Sequence, residues 1–201
     1  MMAASFTTSS SPPKKKVATT IATATKSPIC GAPTPKTTTT KSATMTPKAT
    51  DDVPALHRFH SRLSEETVYL RFFGPLDKLS EEKAQYFAHT DGVDHVGLVA
   101  LDPEEPDEII AIARYDREPD SNDAEYAAIV EDRWQEHKLG ECLTQELIGE
   151  ALDKGIKSFY GLAMARNQRM LKLLRGLGLP EQEQQEEEAK FFEVELQPVE
   201  A

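Results

Sequence analysis

The run Ala124-Glu125-Tyr126-Ala127-Ala128-Ile129-Val130, continued by Glu131-Asp132-Arg133-Trp134-Gln135-Glu136-His137-Lys138-Leu139-Gly140-Glu141-Cys142-Leu143, decides the fold. Its first part is short and apolar, as a strand is, and its second part passes through polar residues into a different period. Leu139, Leu143, Leu147 and Ala151 recur every four residues, with Cys142 and Ile148 beside them. Glu141, Gln145, Glu146, Glu150 and Asp153 fill the opposite face, so the segment is an amphipathic helix that ends near Gly155. Ile156 to Ala163 reads as the next strand. Strand, helix and strand at this spacing predict a right-handed crossover and a parallel pair.

Upstream of this unit the pattern is that of a meander. His95 to Leu101 and Glu108 to Tyr115 are apolar runs separated by Asp102-Pro103-Glu104-Glu105-Pro106-Asp107, and Glu118 to Asp123 makes a second polar break before Ala124. Three strands with short connections pair antiparallel. Before them, Thr50-Asp51-Asp52, Ser64-Glu65-Glu66 and Ser80-Glu81-Glu82 each place a hydroxyl and acids where the free amides and dipole of a helix start favour them. Downstream, Asn167 to Arg175 reads as a helix with Met170, Leu171, Leu173 and Leu174, and Lys190 to Leu196 as a last strand. The acidic, Gln-rich run Pro180 to Glu188 between them reads as a solvated loop. The fold class is α/β, with a mixed, mostly antiparallel sheet, a parallel central pair and helices on both faces.

The chain has 201 residues and a net charge of −11, but its charge is divided. Residues 1–50 carry +7 with no acid, and the remainder carries −18. Thr, Ala, Ser and Pro dominate the first part, which buries too little apolar surface to offset roughly 1–2 kcal/mol of backbone entropy per ordered residue. Residues 1–46 are therefore expected to be a disordered basic tail, and 47–201 the folded domain. No stretch of about 20 apolar residues suggests a membrane span. The acid-free, hydroxyl-rich start resembles a plastid transit peptide, which makes a plastid location the alternative to a cytoplasmic one. Cys30 and Cys142 do not form a disulfide framework and fit a reducing compartment. Five scattered histidines give no metal-ligand spacing, and even His57 and His60, three apart on a helix, lack further ligands. No metal is expected.

In order and in several local segments, residues 47 to 197 resemble the GNAT (GCN5-related) family of acyl-CoA-dependent N-acetyltransferases. The nearest likeness is to the GNAT domains of bacterial protein-lysine acetyltransferases. It is carried by Leu63-Ser64-Glu65-Glu66-Thr67-Val68-Tyr69-Leu70-Arg71-Phe72-Phe73, by Ala124-Glu125-Tyr126-Ala127 and by Met170-Leu171-Lys172-Leu173-Leu174-Arg175-Gly176-Leu177-Gly178. The resemblance implies the GNAT acyltransferase fold, acetyl-CoA as acyl donor, and an amine acceptor that is a small molecule or a protein lysine. It implies no specific nucleic acid or membrane, and a monomer or homodimer.

The family's Arg/Gln-x-x-Gly-x-Gly/Ala motif aligns with Gln135-Glu136-His137-Lys138-Leu139-Gly140. There, successive amides at a helix N-terminus would face the CoA pyrophosphate. Gln135, Leu139 and Gly140 keep the pattern, whereas Lys138 replaces the first glycine and is expected to be strained in a glycine-like backbone. Glu136 and Glu141 place carboxylates beside an anionic ligand. Ile129 and Val130 would offer strand backbone to the pantetheine arm, and Asn167 would touch that arm or cap its own helix. Glu125 matches the family's general base. Its face is shared with Ala127 and Ile129, so it is expected to point inward, where desolvation raises a carboxyl pKa. The tyrosine acid of many relatives is replaced by Leu174. With this altered site, the alternative function is a GNAT-fold binding or regulatory module without catalysis.

Overall fold

The protein is described from a computed structural model, which covers residues 52–176, 181–186 and 189–196. The proposed tail, the Lys41 to Pro47 stretch expected to be a frayed or missing first strand, and the Thr50-Asp51 helix-start signal lie outside the described residues. Three helices come first: α1 (Val53–Ser61), α2 (Glu65–Phe72) and α3 (Glu81–Ala88). The meander follows as β1 (His95–Leu101), β2 (Ile109–Arg117) and β3 (Asp123–Val130). A 3-10 turn (Asp132–Trp134), α4 (Leu139–Asp153), β4 (Ser158–Met164), α5 (Gln168–Gly176), β5 (Glu181–Glu186) and β6 (Ala189–Glu195) complete the order.

Local chemistry accounts for the element ends. Ser64 caps α2 by accepting from the Thr67 amide at 3.2 Å, and Ser80 caps α3 by accepting from the Lys83 amide at 3.2 Å. α1 starts differently: Asp52 makes no side-chain cap, and Pro54 sits in the first turn, where its missing N–H costs nothing. α4 ends where Gly155 takes φ +79°, a value glycine adopts freely.

The six strands lie in the order β1-β2-β3-β4-β6-β5. The β3–β4 pair is parallel and the other pairs are antiparallel, as the strand-helix-strand spacing predicts. One expectation is corrected. Glu181–Glu186, read as part of a solvated loop, forms edge strand β5, paired with β6 from Glu181↔Val194 to Glu186↔Ala189. Glu and Gln are poor strand formers, but an edge strand needs only one neighbour, and the backbone bonds to β6 override propensity.

The two faces of the sheet are packed differently. On one, α4 and α5 cover a contiguous core in which Leu147 of α4 is fully buried against Leu98, Ala113, Tyr115 and Tyr126 of β1–β3 and Phe159 and Phe192 of β4 and β6. Each such large side chain contributes about 1.5–3 kcal/mol by leaving water. On the other face, α1 and α3 pack through Leu56, Phe59, Leu79 and Ala84 onto Ile109, Val99, Ile112 and Ile129. The alternation of β3 sets this division: Ala124 and Tyr126 are buried under α4, while Glu125, Ala127 and Ile129 turn to the α1–α3 side.

Candidate active site

The parallel pair is short. β3 and β4 are in register only at Asp123↔Ser158, Ala124↔Phe159 and Glu125↔Tyr160. From Tyr126 and Gly161 onward the strands diverge, leaving a fork in the middle of the sheet. At its base the chains are pressed together, since a Cβ on Gly161 would lie 3.0 Å from the Tyr126 carbonyl oxygen and 2.7 Å from Phe192 Cζ.

The direction of the β3 backbone follows from its bonds to β2. The Glu131 amide donates to the Ile110 carbonyl at 2.9 Å and the Glu118 amide to the Asp123 carbonyl at 2.9 Å. In an antiparallel pair a residue's N–H and C=O point the same way and neighbours alternate. The odd-numbered residues of β3, Ile129 included, therefore bond β2, while Tyr126, Ala128 and Val130 direct theirs into the fork. The backbone groups of Ile129, expected to meet the pantetheine arm, thus face β2 and not the fork, whereas those of Ala128 and Val130 face the fork, the Val130 carbonyl accepting there from Gln135.

At the open end of the fork the chain turns into α4. Lys138 is the residue that caps α4, with φ +60° and ψ +7°, and Glu136 also has a positive φ of +65°. Side chains without β-branching reach this left-handed region at roughly 1–2 kcal/mol each. Lys138 thus adopts the left-handed geometry that glycine reaches freely. The turn brings the first amides of α4, at Leu139 and Gly140, to a helix N-terminus, where no carbonyl lies one turn earlier to receive them. Gly140 is required by space: a Cβ there would meet Leu173 Cδ1 at 3.1 Å and Val130 Cγ2 at 3.4 Å. The Glu136 carboxylate lies 3.9 Å from Arg169 Nε on α5, drawn to one side of the turn. Trp134 packs against the core and holds the turn on the sheet, its buried Nε1 lacking a hydrogen-bond partner among the described residues.

Gln135 is a positioning residue. Its Nε2 donates to the Val130 carbonyl at 2.9 Å and to Thr67 Oγ1 at 3.1 Å, so the turn is fastened to both β3 and α2. Asp132 extends the same network: it accepts from the Ser64 amide at 2.9 Å, from Ser64 Oγ at 2.6 Å and from Thr67 Oγ1 at 2.8 Å. Burial pushes the Asp132 carboxyl up, but these hydrogen bonds outweigh it and hold its pKa below the usual carboxylate value. Sequence reading missed Asp132 and Thr67. The only signal was the helix-start pattern at Ser64, whose partner is 68 residues away. On the buried side, Tyr126 Oη lies 2.7 Å from Thr144 Oγ1, which donates to the Gly140 carbonyl at 2.6 Å, and burial raises the Tyr126 pKa.

Glu125 stands at the base of the fork, on the last in-register pair, with Tyr160 opposite. It shares its face with Ala127 and Ile129 as expected, but it is exposed, and the desolvation inferred for it is absent. Beyond Tyr160 the strands diverge, and Leu162, the next β4 residue on that side, is 56% exposed. Tyr160 donates to Glu118 Oε2 at 2.6 Å, and that bond together with burial pushes its pKa up to about 12. Asn167 accepts from the Met170 amide at 3.1 Å, so its side chain caps α5. Leu174 is buried in the core. Cys142 lies in the first turn of α4, and Cys30 lies outside the described residues. His57 Nε2 is 3.2 Å from Glu81, whereas His60 is buried beside Phe72, so the two histidines do not converge.

A mixed sheet that forks at its one parallel pair, with a helix N-terminus at the fork's open end, defines an acyltransferase fold. No family model matches the chain. Among solved structures, it is 30% identical to the GNAT domain of S. lividans PAT over 74% of this chain and 87% of that one, with a TM-score of 0.68. The chain belongs to the GNAT family. The cofactor-bound structure of yncA from Salmonella typhimurium, solved with acetyl-CoA, shares the fold at 16% identity, covering 75% of this chain and 91% of that one with a TM-score of 0.59. A cAMP-binding acyltransferase from Mycobacterium smegmatis is 28% identical over 70% of this chain, which spans 42% of its length, with a TM-score of 0.48.

Proposed function

We propose that the protein is an N-acetyltransferase that moves acetyl from acetyl-CoA to a primary amine by direct attack. The observation that carries this reading is the fork, with Glu125 at its base on one side of the sheet and the α4 turn at its open end. The pyrophosphate of acetyl-CoA would lie on the Lys138, Leu139 and Gly140 amides, with Lys138 adding positive charge. The pantetheine arm would lie in the fork against backbone groups of Ala128 and Val130, close to Asn167. The acceptor, a small amine or a protein lysine, arrives as an ammonium from the exposed Glu125 side, and the negative charge of the domain attracts it.

Glu125 takes one proton from the ammonium, directly or through a water molecule. The freed nitrogen lone pair then forms the C–N bond to the thioester carbonyl carbon. The C–S bond breaks, and its electron pair leaves with the CoA sulfur as thiolate. Leu174 supplies no proton to that sulfur, and a thiolate is a tolerable leaving group near neutral pH. The remaining proton on nitrogen is lost to solvent, giving the amide.

Turnover of acetyl-CoA against a panel of amines and lysine peptides tests the reading. Glu125→Gln is expected to lower kcat about 10²–10⁴-fold, the usual contribution of a general base, with little change in acetyl-CoA affinity. A second reading, a binding module without catalysis, is favoured by Glu141 in the first turn of α4 and by Leu174 in place of an acid. Calorimetry that detects no acetyl-CoA binding at about millimolar ligand, where even weak complexes form, would decide for the second.

A further inference from the structure

We propose that the cavity between α1, α3 and the sheet binds a small organic carboxylate with an apolar body, its charge held by Arg71 and Arg114. The cavity measures about 560 Å³, within the usual span of small-ligand sites. Phe59, Phe72, Phe87, Val99, Ile112 and Ile129 form apolar walls. Asp52, Thr90, Asp107 and Arg58 also line it, Arg58 being paired with Glu108, and the remaining polar groups are His60, Arg71 and Arg114. Arg114 is 8% exposed and packs against the neighbouring rings of Tyr86 and Phe87, each centred 4.9 Å from its guanidinium carbon. Its Nη2 donates to Asp116 Oδ1 at 2.6 Å, while Nη1 is buried with no hydrogen-bond partner among the described residues. His60, 7% exposed and also on the wall, leaves Nε2 buried and likewise without a partner among the described residues.

Such groups destabilise the folded chain unless something bonds them. Arg71 adds a second guanidinium to the wall, 5.3 Å from the centre of the Phe72 ring. Burial and then the like charge of Arg114 weigh against its cationic form, with Glu125 and Asp116 opposing them. The one carboxylate bonded to Arg114 is already shared, since His95 Nδ1 lies 2.8 Å from the same Asp116 oxygen. Two cations beside one hollow need an acceptor group, and a carboxylate has two oxygens and a full charge to offer. An ammonium would be repelled, and an alcohol would relieve neither charge. The aromatic walls then select an apolar body over a compact ion. Ala127 lies on this wall and on the face of β3 that carries Glu125, so the occupant would border the acceptor side. The proposal stands apart from acetyl transfer and is tested without CoA.

Calorimetric titration of the full chain with octanoate, octanol and octylamine provides the test. Octanoate is expected to bind about tenfold or more tightly than either of the others, the weight of a charge-assisted bond. Arg71→Gln should weaken octanoate about tenfold, and Val99→Trp, which fills the hollow, should abolish it. A cooperative thermal melt confirms that each variant is folded; should Arg71→Gln fail that check, Val99→Trp and the ligand comparison carry the result. Equal affinity for octanoate and octanol, preference for octylamine, no binding of octanoate at about 10 mM, or binding unchanged in the folded variants overturns the proposal.

Discussion

The face of the sheet under α4 and the face under α1–α3 share the same strands yet differ in kind. On the first, Tyr126, Phe159 and Phe192 interlock, the Tyr126 and Phe159 rings stacked 5.3 Å apart, and every large side chain meets another. On the second, smaller contacts leave a hollow of about 560 Å³ edged by Arg58, Arg71 and Arg114. The difference teaches that the α4 face holds the fold and fixes the turn into α4, while the α1–α3 face keeps open room and charge. A single alternation along β3 produces both, because Glu125 and Tyr126 are neighbours in sequence and opposites in space.

The comparison can be broken most forcefully by equal truncations on the two faces. Leu147→Ala, on a fully buried residue, should cost about 3–5 kcal/mol, whereas Ile112→Ala, at the wall of the hollow, should cost about 1–2 kcal/mol, as read from denaturant midpoints. Similar losses at both positions would mean that the second face is as tightly packed as the first. Next in size is Gly161→Ala at the base of the fork. The new methyl meets a backbone carbonyl and a buried ring, so a loss of about 1–3 kcal/mol is expected, together with weaker acetyl-CoA binding.

The network joining α2 to the turn sharpens the contrast further. Asp132→Ala should cost about 1–2 kcal/mol, as loss of a helix cap does, and should weaken acetyl-CoA binding without touching the hollow. Its pH dependence has a definite sign. The Asp132 pKa is lower folded than the 3.8 of an unperturbed Asp, so its stabilisation is complete above that value. It is lost as pH falls through the lower folded pKa, because the unfolded chain binds the proton first. Acid titration of wild type and Asp132→Asn should therefore converge in stability at the acid end and separate above about pH 4. The smallest effect is expected at Lys138. Replacement by Gly relieves left-handed strain but frees the unfolded chain, leaving stability within about 0.5 kcal/mol. A β-branched Lys138→Val should lose about 1–2 kcal/mol in thermal melts.

Much of this was legible in the sequence. The β1 and α4 boundaries, the caps at Ser64 and Ser80, and the parallel β3–β4 pair follow from period, breakers and connection length. The GNAT resemblance placed Glu125, the Gln135–Gly140 turn and Asn167 near one another. Edge strand β5 was not legible, because its Glu and Gln carry no strand pattern and its pairing depends on β6. The exposure of Glu125 escaped for a similar reason. Alternation gives the face a residue is on, and only the divergence of β4 tells that the face is open.

By itself, the sequence determined the order of elements, their ends and which residues share a face, because these depend on neighbours within a few positions. It also determined the charge division and the substitutions at Lys138 and Leu174. The tertiary structure decided what those faces meet. It showed that Lys138 takes a left-handed backbone at the turn, that Ala128 and Val130 open into the fork where Ile129 does not, and that Gln135 is held by Thr67 and Val130. It also brought Arg71 and Arg114, distant in the chain, to one apolar hollow. Such pairings depend on register and on the packing of distant elements, where desolvation and hydrogen-bond geometry, invisible to local pattern, set the outcome.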